Sequence, residues 1–260
     1  MFKKQKHVLK TIYRLMRPIF DPFRLKGIPA YSRYFKDLAQ YKALDGTDAI
    51  KFEDLRPQIY QKSISHNVSA HYFYQSAWAF RLIHESQADR HTDIASDTAL
   101  SALLSALIPV TFVDIRALDV TLHNLHTVAG DIASLPYADQ ELSSISCLHV
   151  IEHVGLGRYG DPLDPQGTLK AASELVRVLA PGGNLFVSVP IGRQRVVFNA
   201  HRILATSTVL SMFDGLELVE FSSVSDRGVF LRNSDMASFD DAVYSCGLFH
   251  FRAPSVKGTA

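Results

Sequence analysis

From about residue 70 onward, short β-branched runs and helical apolar stripes alternate along the chain, and that alternation leaves few folds open. Residues 91–95 read as a first strand, 110–113 ending in Asp114 as a second, and 127–129, closed by Gly130 and Asp131, as a third; 144–149 and 185–189 follow as the fourth and fifth. Helices are predicted over 71–85, where Phe73, Ala77, Phe80 and Leu82 share a face with Trp78 beside them, and over 100–107. A third covers 168–179, where Leu169, Ala172, Leu175, Val176 and Leu179 form a stripe that Pro181, Gly182 and Gly183 cut off. Strands and helices joined this closely give an α/β fold with a doubly wound, mostly parallel sheet and helices on both faces, a Rossmann-type three-layer sandwich. Ligands on such sheets sit beyond the carboxyl ends of the strands. Chemistry is therefore expected at 93–97, at Asp114, at Gly130 and Asp131, and at 149–153.

Composition supports one large core with an extension. Of 260 residues, 47 % are hydrophobic and 20 % charged, which excludes a disordered or collagen-like chain. The longest stretch free of Asp, Glu, Lys, Arg and His, 98–113, is too short for the ~20 apolar residues that a membrane-spanning helix needs. The net charge of +1 gives no reason to expect nucleic acid as the main partner. It is unevenly placed, however: residues 1–26 carry eight lysines and arginines against Asp21 alone, which leaves +7 there and −6 on the rest. Within 3–17, Val8, Leu9, Ile12, Tyr13, Leu15 and Met16 recur at helical spacing up to Pro18, the pattern of a basic amphipathic helix. Such a helix either packs on its own domain or makes a peripheral contact with an anionic membrane surface. Lys10, Arg14 and Arg17 interrupt any signal-peptide core. The segment 20–68 reads as helices and loops, so the expected organisation is a helical N-terminal extension over 1–69, the α/β domain over 70–252 and a tail over 253–260. Two widely separated cysteines, Cys147 and Cys246, outside any C-x-x-C pair, suit a reducing, cytoplasmic compartment, with contact at the inner face of a membrane if the basic helix docks there. Nothing in the sequence fixes an oligomeric state.

The turn after the first strand reads D-I-A-S-D-T-A over 93–99, with no glycine where a dinucleotide fingerprint needs three. Neither a phosphate-binding G-x-x-x-x-G-K loop nor G-x-S-x-G is present. Acids at the ends of the first three strands suit a nucleoside instead: a carboxylate after the second strand can accept from both ribose hydroxyls, and one after the third from the exocyclic amine of adenine.

Several runs carry a family resemblance: E-L-V-R-V-L-A-P-G-G-N-L-F-V-S-V-P over 174–190, H-Y-F-Y-Q-S-A-W over 71–78, V-D-I-R over 113–116, L-H-V-I-E-H-V-G-L-G-R-Y-G-D-P-L-D-P over 148–165, V-P-I-G over 189–192 and F-N-A-H-R over 198–202. Together they make residues 70–252 resemble class I S-adenosylmethionine-dependent methyltransferases. Within these they resemble most a family of unknown function first described from nematode proteins and also found in bacteria. The resemblance implies S-adenosylmethionine as cofactor, with Asp93, Ala95 and Ser96 along its methionine part, Asp114 and Ile115 at the ribose, Asp131 and Ile132 at the adenine and His149 beside them. It implies a fourth strand ending near Glu152 and His153. The chain departs from the family at the first turn, where Ala95 brings a methyl group and Asp97 a charge toward the cofactor.

The run H-V-I-E-H over 149–153 holds the densest set of reactive side chains. Alone it is the H-x-x-E-H pattern of a zinc hydrolase, in which helical spacing brings both histidines to one metal; His149 at a strand end argues against that spacing. Beside the E-x-x-E-H of small-RNA and ubiquinone O-methyltransferases it resembles a divalent-metal site in which His149 replaces a glutamate. Three roles stay open: a general base at His153 oriented by Glu152, a metal site of His149, Glu152 and His153, and a purely structural turn. On the loop that follows, Arg158 either holds a phosphate or carboxylate of the acceptor or pairs with Asp161 or Asp164. His201 is an alternative base, and Arg202 either an acceptor contact or a surface polar group. Tyr72, Phe73 and Tyr74 either reach the pocket or belong to the core. The reading these features favour is methyl transfer to an oxygen of a sugar or other small polar acceptor, a step in glycan biosynthesis being one setting. The alternatives are a catalytically inactive scaffold or partner-binding protein, and a metal-dependent hydrolase.

Overall fold

The structure is a computed structural model that describes residues 28–44 and 68–255, with Ile12, 50–52 and 55–57. The chain divides into two compact units, Met1–Val68 and Ser69–Ala260. In the first, α1 (Ile28–Lys42) stacks Tyr31 on Phe35 at 6.3 Å between ring centres. The basic helix expected over 3–17 lies outside the described residues apart from Ile12, which is helical and exposed.

The second unit begins with α2 (Ala70–Glu85) and continues through β1 (His91–Ile94), α3 (Thr98–Leu104), β2 (Val110–Asp114), β3 (Leu125–Ala129), β4 (Leu142–Leu148), a 3₁₀ turn (Ile151–His153), α4 (Gly167–Val178) and β5 (Leu179–Ile191). Next come a hairpin of β6 (Arg195–Val197) and β7 (His201–Ile203), then α5 (Thr206–Met212), β8 (Glu217–Val224), β9 (Phe230–Leu231) and β10 (Ser245–Arg252). The main sheet has the order β3-β2-β1-β4-β5-β10-β8-β9. β1 to β5 pair in parallel, and β10 lies antiparallel between β5 and β8. This is the mostly parallel, doubly wound sheet expected of the sequence.

The period of two along its strands separates two cores. Leu185, Val187 and Val189 of β5 and Phe249 of β10 pack with Ala172, Leu175 and Val178 of α4. Phe186 and Leu248, which point to the other face, pack with Trp78, Leu82 and Ile83 of α2 and Leu100 and Leu104 of α3. Trp78 also donates from Nε1 to Glu220 Oε1 at 2.8 Å, anchoring α2 to β8.

Three local expectations are corrected. The buried face of α2 is Gln75, Trp78, Ala79, Leu82 and Ile83, and Phe73 is exposed. β4 ends at Leu148, so Glu152 and His153 lie on the 3₁₀ turn beyond it. Residues 181–183 are not a turn but an irregular stretch inside β5: pairing jumps from Leu142 opposite Leu179 to Ser144 opposite Asn184. There Gly182, at φ +72, donates from its N–H to Ala253 O at 3.1 Å. The chain beyond β10 is held at its start by the same contact and by Ala253 N–H on Gly183 O at 2.9 Å. Among the described residues, no helix is long and apolar enough to cross a membrane.

Candidate active site

The carboxyl ends of β1 to β4 open onto one cleft of about 260 Å³. Ala95 lines it after β1, Asp114, Ile115 and Arg116 after β2, Gly130, Asp131 and Ile132 after β3, and His149, Val150 and His153 after β4; Val154, Tyr159 and Asp161 come from the loop that follows.

The first turn is built from behind. Asp93 is fully buried and accepts from Ser101 Oγ and, at 2.7 Å, from Ser146 Oγ. Burial raises its carboxyl pKa above the usual range, against the opposing pull of hydrogen bonds from Ser101, Ser96 and Ser146. Ser146 also meets His91 Nε2 at 2.9 Å, and His91 Nδ1 meets Ser144 Oγ at 2.8 Å. Burial holds that imidazole neutral, with its pKa lowered to about 3. Ser96 accepts from Leu148 N–H at 3.0 Å, tying the turn to the end of β4. Asp93 and Ser96 thus shape the turn and do not line the cleft, whereas Ala95 does, at a left-handed φ of +53 with its N–H on Val113 O at 2.8 Å. Asp97 caps α3 by accepting from Ala99 N–H at 3.0 Å, so its charge is directed to the helix start.

Asp114 and Asp131 present carboxylates to the cleft in the same manner. Asp114 Oδ1 accepts from Arg116 N–H at 2.8 Å, and Asp131 Oδ1 from Ala133 N–H at 2.9 Å. Each bond fixes the side chain through one oxygen and leaves Oδ2 for another donor.

His149 follows β4 at φ +56, its N–H on Ser188 O at 2.9 Å. Its Nδ1 meets Glu152 Oε1 at 2.7 Å, while among the described residues Nε2 and Glu152 Oε2 are buried with no nitrogen or oxygen partner, the Cys246 thiol lying beside the imidazole. Burial alone would lower the pKa of this imidazole, but Cys246 and Glu152 outweigh it and raise it to about 10. His153 Nδ1 lies 2.6 Å from Ala200 O, so this nitrogen carries the proton and Nε2, 3.7 Å from Glu152 Oε1, is the basic one. Burial, aided by Arg158 and His149, lowers the pKa of His153. Glu152 therefore holds His149 at hydrogen-bond distance and His153 only at longer range. The run 149–153 is not the α-helix that the zinc-hydrolase pattern requires.

Arg158 makes neither of the ion pairs weighed for it: Nη1 donates to Ala200 O at 2.9 Å, and the guanidinium lies 5.1 Å from the Tyr159 ring centre. Asp161 accepts from the N–H groups of Gly155, Gly157 and Tyr159, and Asp164 pairs with Lys170 at 2.7 Å. Arg202 braces the same loop through Val154 O at 2.6 Å. His201 sits 6.4 Å from His153 between ring centres.

Tyr72 was among the aromatics weighed for the pocket, and two further contributors, His71 and Cys246, lay beyond sequence reasoning about the site. Tyr72 stacks on His149 at 5.3 Å, and His71 stacks on both His149, at 5.5 Å, and Tyr244, at 4.9 Å. Cys246 on β10 completes the group beneath them. Only the spatial adjacency of α2, β4 and β10 unites these residues, and no local spacing announces it.

Residues 130–244 match the family model described as "Caenorhabditis protein of unknown function, DUF268". No curated protein matches the chain. Among solved structures, the [4+2]-cyclase SpnF is similar with a TM-score of 0.50 and 17% identity, over 70% of this chain and 81% of that one. A protein from Galdieria sulphuraria assigned as a sarcosine dimethylglycine methyltransferase is similar with a TM-score of 0.51 and 14% identity, over 71% and 87%. These likenesses show the fold: the unit is built as class I methyltransferases are.

Proposed function

We propose that the cleft binds S-adenosylmethionine and that the chain transfers its methyl group to an oxygen of a small polar acceptor such as a sugar. The observation that carries this reading is the pair of half-engaged carboxylates, Asp114 and Asp131, at the ends of adjacent parallel strands on one cleft. Asp114 is suited to accept from the ribose hydroxyls and Asp131 from the adenine amine. Ala95 keeps the backbone in a conformation normally left to glycine, so the first turn stays open without one. The residues therefore fit the cofactor, whose sulfonium supplies an already activated methyl group.

The protein's part is alignment and proton removal. His153 lines the cleft with Nδ1 fixed on Ala200 O, which leaves Nε2 to take the proton of an acceptor hydroxyl. Glu152, 3.7 Å away, favours the imidazolium that forms, and the proton then passes to solvent. Arg158 and Tyr159 stand beside His153, placed to contact the acceptor. His201 is the second candidate base.

Calorimetry with S-adenosylmethionine and S-adenosylhomocysteine tests the cofactor, with saturable binding of roughly micromolar affinity expected. An inert scaffold gives no heat at concentrations on the order of millimolar. His153→Ala should lower transfer of labelled methyl to a panel of hydroxyl acceptors by about 10²–10⁴-fold while cofactor affinity holds. An unchanged rate removes His153 from the chemistry. SpnF, a cyclase on the same fold, shows why binding and transfer need separate tests.

A further inference from the structure

From the juxtaposition of His71, His149 and Cys246 we infer that this chain has a site for one zinc-class metal ion on the α2 side of the sheet. The inference does not depend on the cofactor reading. The three residues come from the first turn of α2, the end of β4 and β10, yet one nitrogen of each imidazole and Cys246 Sγ all lie within 4.8 Å of one another. Nothing in the local sequence requires this convergence, which spans 175 positions from His71 to Cys246.

The independent observation is His149 Nε2. It belongs to a side chain only 3 % exposed, it has no nitrogen or oxygen partner among the described residues and only the Cys246 thiol beside it, and it is the nitrogen on the side away from Glu152. A buried polar atom left unmade costs its full desolvation, and native structures rarely keep one without a reason. A metal ion supplies that reason, taking the place of the proton that Cys246 and Glu152 otherwise favour on this imidazole and releasing it to solvent. The outer contacts are those that metal-bound histidines use: the second nitrogen of His149 is held by the Glu152 carboxylate at 2.7 Å, and His71 hydrogen-bonds the backbone of Tyr244. In this arrangement Glu152 orients a ligand and is not one itself, unlike the set of His149, Glu152 and His153 that the local pattern suggested.

The donor set chooses the ion. A donor set of two imidazoles and a thiolate disfavours magnesium and calcium and suits zinc. Three protein ligands are one short of tetrahedral, the count of a site that keeps a position for water or an exogenous donor. Cys246 is fully buried and in no disulfide, and its thiol makes only a long contact to Gly247 O, at 3.7 Å, besides that to His149.

The test uses the full chain, purified without chelator and then stripped and titrated with cobalt(II) as a visible stand-in for zinc. One ion per chain is expected, with a thiolate-to-cobalt charge-transfer band in the near ultraviolet. The band should vanish in Cys246→Ser and persist in Cys147→Ser, which removes the other cysteine. His71→Ala, at a partly exposed position of the first helical turn, should weaken zinc by at least ~10-fold, and Glu152→Gln by about 10–100-fold. Far-ultraviolet circular dichroism reports whether each variant folds; should Cys246→Ser fail to fold, the wild-type band and His71→Ala decide. No band at one equivalent of cobalt, or zinc bound equally well by a folded His71→Ala chain, overturns the site.

Discussion

Ala95 shows how one methyl group separates a turn that is tolerated from one that is free. Its φ of +53 costs an alanine roughly 1–2 kcal/mol, whereas glycine would pass without strain but would loosen the unfolded chain by roughly 0.4–1 kcal/mol. Ala95→Gly should therefore leave urea-measured stability unchanged or raise it by up to about 1.6 kcal/mol, and bind S-adenosylmethionine at least as tightly. Ala95→Val, β-branched at the same φ, should lose both, with stability down by more than about 1 kcal/mol. His91 makes a second residue-scale prediction. Its folded pKa is depressed to about 3, so between the unfolded value near 6.5 and 3 the unfolded chain binds a proton that the folded chain refuses. The neutral imidazole's contribution is thus complete above that window and is lost as pH falls through it. Comparing denaturant unfolding of wild type and His91→Gln from pH 6.5 down to 4, the wild type should lose up to about 1.4 kcal/mol per pH unit more than the variant; parallel curves would refute the assignment. The acids after the strands were legible from sequence because parallel strands ending in carboxylates leave a local trace, as at Asp114 and Asp131. The inward roles of Asp93 and Ser96 were not, since they depend on Ser101, Ser146 and Leu148 arriving from other elements.

The loop from Val154 to the start of α4 is the element on which the proposed acceptor recognition rests, and its shape is fixed by backbone contacts. Gly155 lies at φ +80, and a Cβ there would meet Asp164 O at 2.0 Å. That same carbonyl's residue donates its N–H to Gly155 O at 2.9 Å, so the two ends of the loop clasp each other. Gly155→Ala should open the clasp at a cost of more than about 2 kcal/mol locally, seen as faster hydrogen exchange across 154–167 with the sheet amides unchanged. The methyl-acceptor KM should rise more than cofactor affinity falls, because Asp114 and Asp131 sit on other strands. Arg202→Met, which removes the brace on Val154 O, should act in the same direction and more weakly. At this scale the sequence was informative where period and composition agree. β2 is rich in apolar and β-branched residues and β4 in apolar and small ones, and both fell within two residues of expectation. It was misleading at β5, where Pro181, Gly182 and Gly183 look like a turn; pairing with β4 on one side and the bond to Ala253 on the other absorb them into the strand. The β6–β7 hairpin is too short, at three residues a strand, to carry a periodic signal.

For the whole molecule, the sheet, both cores and the cleft belong to Ser69–Ala260, while the excess positive charge lies in residues 1–26. Cofactor chemistry and any attraction to an anionic surface are thereby assigned to different stretches of chain, and each can be removed without the other. The sequence over 3–17 predicts a basic amphipathic helix, and each lysine or arginine near an anionic bilayer contributes about 1 kcal/mol at moderate salt. On the membrane-contact reading of this segment, its net +7 is what an anionic surface attracts, and salt screens that attraction over about 8–10 Å. Full-length protein should therefore co-sediment with vesicles containing phosphatidylserine, should not do so with neutral phosphatidylcholine vesicles, and should be released by raised salt. Deleting residues 1–26 should abolish sedimentation and leave calorimetric binding of S-adenosylmethionine unchanged. Binding to neutral vesicles as strong as to anionic ones would point to apolar insertion in place of charge. Retention of the shortened chain on anionic vesicles would move the contact to residues 27–260, against their net −6, and sink the division of labour.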